Sequence, residues 1–495
     1  MSVAYLSAHR PVWLSPRIMR TEVLAGLVVA IALIPEAISF SILAGVDPRV
    51  GLFASFTMAV TIAFTGGRPA MISAATGAIA LVVAPLARDY GLQYLIAAVI
   101  LGGIFQILLA LAGVARLMRF VPRSVMVGFV NALAILIFAA QLQYLIDVPW
   151  MVYPMVVIGI AIILVLPKIT TAIPGPLVTV VLLTVIVAVM NINVPMVGDQ
   201  GELPDSLPVL GIPAVPFTLE TLQIIAPFAL AIALVGLMES LMTAKLVDDI
   251  TDTRSNKTRE SWGQGVANIV TGFFGGMGGC AMIGQTMINV RSGARTRLST
   301  FLAGTFLLIL VVALGDIVAE IPMAALVAVM IVVAYATFDW HSLRTIFSMP
   351  KSETTVMLAT VIATLITHNL AIGVITGVVT ATVLFARRVA HLVSMDRTLE
   401  FDPMTGFETV RYSIHGEMFF ASSNDLVYQF EYSNDPDFVI IDLTGAHVWD
   451  ASTVASLDAV VTKYEKRGKS IRILGLNEKS AEFHDRLSGK LAAGH

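Results

Sequence analysis

Charged residues are so sparse over the first four-fifths of this 495-residue chain that the gaps between them outline its architecture. Charge-free stretches run over 50–67, 69–87, 90–115, 124–146, 148–167, 169–198, 221–238, 261–290, 298–315, 321–338 and 354–386, and the run 24–43 holds one charge, Glu36. A helix crossing about 30 Å of hydrocarbon needs roughly 20 apolar residues, so each stretch reads as a span. Two of them divide. The stretch 261–290 breaks at Gly272, Gly275, Gly276, Gly278 and Gly279, and 354–386 breaks at His368 and Asn369, which brings the expected total to fourteen, some shorter than a full crossing.

The pattern changes after residue 395. Residues 396–495 carry 26 of the 65 Lys, Arg, Asp and Glu residues, and alternating apolar strands with amphipathic helices there predict a small α/β fold. The expected fold class is therefore an all-α polytopic membrane domain over 1–395, followed by an α/β domain over 396–495. A composition of 57% hydrophobic and 13% charged residues excludes a wholly soluble protein. The net charge of −3 divides into +3 and −6 between the two parts, so neither has the basic footprint of a nucleic-acid binder. Cys280 is the single cysteine, which excludes an internal disulfide. The first apolar run follows a basic segment of about 20 residues without a small-residue cleavage site, so it is expected to stay as the first span.

With fourteen elements and a cytoplasmic N-terminus, the loops obey the rule that Lys and Arg collect on the cytoplasmic side. Arg10, Arg17, Arg20, Arg68, Arg116, Arg119, Arg123, Lys168, the loop 245–259, the loop 291–297, Arg344, Lys351, Arg387 and Arg388 fall inside. Only Arg49 and Arg88, two of 21, fall outside, and the longest outer loop carries Asp199, Glu202, Asp205 and Glu220 without a base. Both termini are expected in the cytoplasm.

Self-similarity is worth seeking, since many transporters consist of two related halves. Ala30-Ile31-Ala32-Leu33 returns as Ala231-Ile232-Ala233-Leu234, each followed closely by an isolated acid, Glu36 or Glu239. The segment Gly66 to Ser73 is echoed by Gly278 to Gly284. Repeats over about 20–190 and 220–393 would hold seven elements each, and an odd number requires them to be inverted.

Chemistry is to be sought where the bilayer makes a residue costly. A carboxylate deep in a span costs at least roughly 2.5–3.5 kcal/mol unless paired, hydrated or protonated, which singles out Glu36 and Glu239. The third and tenth elements stand out differently: Ser73-Ala74-Ala75-Thr76 and Gly284-Gln285-Thr286 read as extended segments opening short helices. Broken backbone at membrane depth is tolerated only where it lines a cavity, and the N–H groups of a half-helix attract anions. Two such ends facing each other make an anion site without a cation. The eight histidines, His415 and His447 among them, show no metal-ligand spacing. No nucleophile, metal cluster or phosphate loop accompanies the acids, so an enzyme is not expected and neither is a cofactor.

The run from Ile34 through Pro35-Glu36 and Phe40 to Asp47-Pro48-Arg49-Val50-Gly51-Leu52 closely resembles the signature of the SulP anion transporters, the sulfate-permease-like family of prestin and pendrin. The resemblance continues through 66–76 and 275–298 into a C-terminal region similar to a STAS domain, with strands at Phe438–Leu443 and Ile471–Leu474 and a helix from Asp450-Ala451-Ser452 to Lys466. It implies seven plus seven inverted helices in a core and a gate domain, and an elevator-like displacement of the substrate site. Substrate would be held by Glu36, Phe40, Ser73, Ala75, Thr76, Ile283, Gly284 and Gln285, with Glu239 and Thr243 also at the cavity.

Glu36 replaces the usual glutamine of the signature, and Gln285 stands where prestin-like members have arginine. A cation lost and an acid gained implies proton coupling at Glu36: a proton there removes the repulsion of a small anion. The expected activity is proton-coupled symport of a small anion, a dicarboxylate such as fumarate. The alternatives are sodium-coupled transport of bicarbonate or sulfate, with Glu239 and Thr243 as the cation site, an anion channel, and a membrane anchor signalling through the STAS domain. Ser452 matches the phosphorylated serine of stand-alone STAS proteins and is the regulatory candidate. The resemblance also implies a homodimer, a cytoplasmic partner at the STAS domain, and the inner membrane of a bacterium as the location.

Overall fold

The computed structural model describes residues 15–113, 121–170, 174–390, 393–401, 408–423 and 426–488. Arg10, Arg116 and Arg119 of the orientation argument lie outside them. The chain divides into two compact units, residues 1–378 and 379–495.

Among the described residues up to 390, fourteen longer helices run in two sets of seven. The first set is α1 (Pro16–Ala44), α2 (Pro48–Thr65), α3 (Gly77–Tyr90), α4 (Leu92–Leu111), α5 (Arg123–Leu142), α6 (Val152–Ile169) and α7 (Gly175–Met190). The second is α8 (Leu219–Thr251), α9 (Lys257–Phe273), α10 (Ile283–Arg291), α11 (Arg297–Ala313), α12 (Met323–Thr337), α13 (Lys351–Thr367) and α14 (Leu370–Ala390). Starts follow local chemistry. Pro16 and Pro48 occupy first-turn positions, where a missing N–H costs nothing, and the side chains of Thr218 and Asn256 cap α8 and α9. Seven of the apolar helices have at least 18 residues, enough to cross a bilayer by length and composition. Large apolar side chains such as Val157, Val189 and Ile366 point outward, as a lipid-facing surface requires.

The helices form two bundles, α1–α4 with α8–α11 and α5–α7 with α12 and α13. Their pairing is reciprocal. Helix α1 packs along α11 as α8 packs along α4, α2 lies on α11 as α9 lies on α4, and α5 lies on α13 as α12 lies on α6. In these three pairs, replacing each helix by its counterpart returns the same contact, which is the relation expected of two inverted halves. Glu36 and Glu239 occupy matching places on α1 and α8. The second sequence echo is out of phase with the fold: Thr76 precedes α3 as Met282 precedes α10, a spacing of 206, whereas Ala70-Met71-Ile72 and Ala281-Met282-Ile283 lie 211 apart.

The second unit holds a four-stranded sheet of β3 (Ser394–Phe401), β4 (Glu408–Met418), β5 (Phe438–Val448) and β6 (Ser470–Leu474), in that order. The β3–β4 pair is antiparallel and the other two pairs are parallel. Helices α15 (Ala451–Glu465) and α16 (Glu478–Leu487) follow the parallel strands. Val410, Tyr412, Ile414, Ile441, Leu443, Val454, Leu457 and Tyr464 form its core. The hydroxyls of Tyr412 and Tyr464 both donate to Asp435 Oδ2, and Arg397 donates to its Oδ1 at 2.8 Å, so the buried carboxylate is fully partnered. Ser452 is exposed one residue into α15, which Asp450 caps through the Thr453 N–H. His415 lies in β4 and His447 in β5. Among the described residues no three His, Cys, Asp or Glu side chains come together as a metal site would require.

Candidate functional site

Between α2 and α3 the backbone is extended, and so it is between α9 and α10. Ser73-Ala74 (β1) and Cys280-Ala281 (β2) pair antiparallel, Ser73 opposite Ala281 and Ala74 opposite Cys280. Neighbouring groups satisfy the backbone that a continuous helix would have satisfied itself: the Met282 N–H donates to Ile72 O at 2.9 Å, the Ala75 N–H to Ser55 Oγ at 3.2 Å and the Ala281 N–H to Ser240 Oγ at 3.1 Å. Helices α3 and α10 both begin at this crossing. Thr76 caps α3 by accepting the Ile79 N–H at 3.3 Å, while Met282 offers α10 no side-chain cap.

Both tips open on one cavity of about 290 Å³. Thr76, Gly77 and Ala78 line it from the α3 side and Met282, Ile283 and Gly284 from the α10 side. Glu36, Phe40 and Glu239 complete the wall of the first bundle; Phe129, Leu133 and Ile137 of α5 and Val333 and Thr337 of α12 close it from the second. None of the lining residues is basic. The arrangement sets N–H groups from two helix ends, two carboxylates and an apolar wall around a space suited to a small anion.

Of the residues expected from the sequence, Glu36, Phe40, Thr76, Ile283, Gly284 and Glu239 line the cavity. Glu36 is half-buried beside the Gln285 side chain. Gln285 itself is buried behind the wall, with Oε1 left without a partner. Ser73 also lies behind: its hydroxyl accepts from Gln264 Nε2 at 2.7 Å, so it braces the crossing instead of facing the space. Ala75 is fully buried. Thr243 is buried too, and its hydroxyl donates to the backbone oxygen of Glu239 at 2.8 Å. The Glu239 carboxylate turns elsewhere, accepting from Cys280 Sγ at 2.8 Å.

Cys280 and the side chains of α5 and α12 were not singled out by the sequence. A small polar residue in the extended segment leading to a half-helix was a usable signal for Cys280. The α5 and α12 residues carried none, because an apolar side chain facing a cavity reads the same as one facing lipid.

Residues 19–157 and 147–360 match the model of the sulfate permease family, and residues 405–488 that of the STAS domain. The chain is 51% identical over 462 residues to a Bacillus subtilis protein described as the putative sulfate transporter YbaR, covering 93% of this chain and 95% of the relative. It is 26% identical over 412 residues to the bicarbonate transporter BicA of Picosynechococcus, covering 76% and 72%. Among solved structures, the murine Slc26a9 anion transporter in the inward-facing state superposes with a TM-score of 0.80 at 16% identity, covering 98% of this chain and 91% of that one. The transmembrane domain of a cyanobacterial BicA gives 0.65 at 24% identity, covering 74% and 98%. At those identities the structural likeness is one of fold.

Proposed function

Since the chain belongs to the sulfate permease family and is a multi-pass anion transporter with a C-terminal STAS domain, we propose that it carries its anion together with protons. One observation supports this reading: two carboxylates, Glu36 and Glu239, and two helix tips face the same cavity, whose lining holds no base. A helix tip is worth about 0.3–1 kcal/mol to an anion, at most about 2. A carboxylate about 5 Å away repels it by roughly 3 kcal/mol at an effective dielectric constant of 20. The tips therefore do not outweigh ionised acids. A proton on Glu36 tips the balance, and the anion and the proton then bind as a pair.

The same balance favours a cargo that is itself partly protonated, a dicarboxylate such as fumarate; sulfate and bicarbonate, named for the relatives, are the competing cargoes. Sodium in place of the proton draws no support from Thr243, which lies outside the cavity lining with its hydroxyl given to a backbone oxygen. The second bundle lines the cavity from the middle of α5 and from the end of α12 that leads to Arg344 and Lys351. By the distribution of Lys and Arg that side is cytoplasmic, so the cavity opens inward. Sliding the first bundle against the second would carry the crossing to the other side, in the manner of an elevator. We place the protein in a bacterial plasma membrane, both termini inside, as a homodimer.

Uptake into proteoliposomes of fumarate, sulfate and bicarbonate, with proton and sodium gradients imposed separately, tests the reading. The expected result is saturable uptake of one of them, raised by an inward proton gradient and indifferent to sodium. In Glu36→Gln the stimulation by protons falls about tenfold or more. Wild-type uptake that ignores the proton gradient overturns the coupling, and currents too large for a turnover cycle overturn a carrier.

A further inference from the structure

Cys280 has no part in the reading above, yet it joins two groups that line the cavity. Its thiol donates to Glu239 Oε2 at 2.8 Å, and its sulfur lies 3.1 Å from Thr76 Oγ1. The sulfur is fully buried, whereas both partners reach the space between the tips. A thiol carries one hydrogen, and here the carboxylate takes it. The hydrogen between Thr76 and Cys280 must then be the hydroxyl's, donated to sulfur, while the hydroxyl oxygen accepts the Ile79 N–H. In this state Thr76 presents no donor to the cavity, and the α3 tip offers an anion backbone N–H groups alone.

We propose that Cys280 is a positioning residue through which a proton on Glu239 releases the Thr76 hydroxyl to the transported anion. With Glu239 protonated, its O–H donates to Cys280 Sγ, the S–H turns to Thr76 Oγ1, and the Thr76 O–H turns into the cavity. Each hydrogen keeps its own heavy atom; only the direction of donation reverses. Thr76 Oγ1 can accept from both Ile79 and the thiol while donating outward. Cys280 is the ionisable group in contact with Glu239, and Glu36 faces the same cavity from α1. At the crossing α4 and α9 contribute neutral Gln106 and Asn268, bonded to each other at 2.9 Å, and α10 contributes neutral Gln285. The inference rests on the anion sitting between the two tips as proposed above. It gives the second acid a role beyond that of Glu36: a proton on either removes a repulsion, and one on Glu239 also adds a donor.

The test is the KM for whichever of fumarate, sulfate and bicarbonate the wild type takes up, as a function of pH in proteoliposomes, for wild type, Cys280→Ala, Cys280→Ser, Thr76→Val and Thr76→Ser. Wild-type KM is expected to fall as the pH is lowered. Cys280→Ala leaves the hydroxyl free at every pH and holds KM low. Thr76→Val holds it high, about tenfold above the wild-type acid value, the loss of one hydrogen bond to a charged group. In both, the remaining pH slope is that of the charges on Glu36 and Glu239 themselves. Cys280→Ser and Thr76→Ser keep the relay and restore the wild-type profile. A Cys280→Ala protein with the wild-type KM profile overturns the relay, and so does one whose KM moves in the same direction as that of Thr76→Val. If wild-type uptake ignores the proton gradient, the coupled transport itself fails; if it responds and Cys280→Ala still keeps the profile, only the relay does.

Discussion

Helices α3 and α10 reach the cavity by the same route, a two-residue strand followed by a half-helix, but Thr76 caps the first and no side chain caps the second. The two acids differ in the same sense. Glu36 sits beside Gln285, whereas Glu239 accepts a hydrogen bond from Cys280. Away from the cavity the halves treat each other alike. Glu22 of α1 accepts the N–H groups of Arg295, Thr296 and Ser299 at the start of α11, and Glu260 of α9 accepts those of Gly67 and Arg68 ahead of β1. The duplicated scaffold has kept its symmetry in the pairing of its longest helices and lost it where a ligand is met. A small anion has no two-fold axis to respect, so one bare tip and one capped tip can share the binding.

Substitutions at the crossing probe that contrast most strongly. A Cβ on Gly279 would lie 2.0 Å from Ala74 O, inside the strand pair, while one on Gly284 would meet nothing within 4 Å. Gly279→Ala is expected to cost about 3 kcal/mol, the upper range for an overpacked site, lowering the melting temperature in detergent and abolishing uptake. Gly284→Ala should leave the melting temperature unchanged and raise KM severalfold, because its methyl group stands over the bare tip. Equal destabilisation by the two would show that the crossing is not the rigid element.

The exchanged acids come next in size. Glu22→Gln and Glu260→Gln should each lower stability by about 1–2 kcal/mol, as for loss of a charged cap, with KM unaltered in both. A large difference between them in thermal unfolding would show that the two halves do not brace each other equally. The smallest effect should come from Met282→Thr, which makes the tips alike. The added cap should stabilise by about 0.5–1 kcal/mol and raise KM, since an N–H that met the anion now meets a hydroxyl. An unchanged KM would mean that the anion does not depend on the bare α10 tip.

Much of this site announced itself along the chain. Glu36 and Glu239 were conspicuous because each interrupts an apolar run, and the segments around Ser73 and Gly284 because glycine and small polar residues interrupt spans too short to cross. Each signal is a local penalty, the cost of a charge or of unsatisfied backbone in hydrocarbon, and a local penalty is readable from neighbours in sequence. Ser73 and Ala75 carried the same signal as Thr76 and yet turn away from the cavity, because in an extended segment alternate side chains face opposite sides and which side is inward depends on the partner strand.

The sequence by itself determined the spans, the division into membrane and α/β parts, and the two acids at matching places. Tertiary structure alone decided that the Glu239 carboxylate meets Cys280 41 positions away, that Thr243 bonds its own helix, and that Phe129 and Val333 wall the cavity. Those outcomes depend on how far each helix is rotated about its axis, and that angle is set by packing against helices distant in the chain. A hydropathy pattern in which nearly every face is apolar carries no record of it.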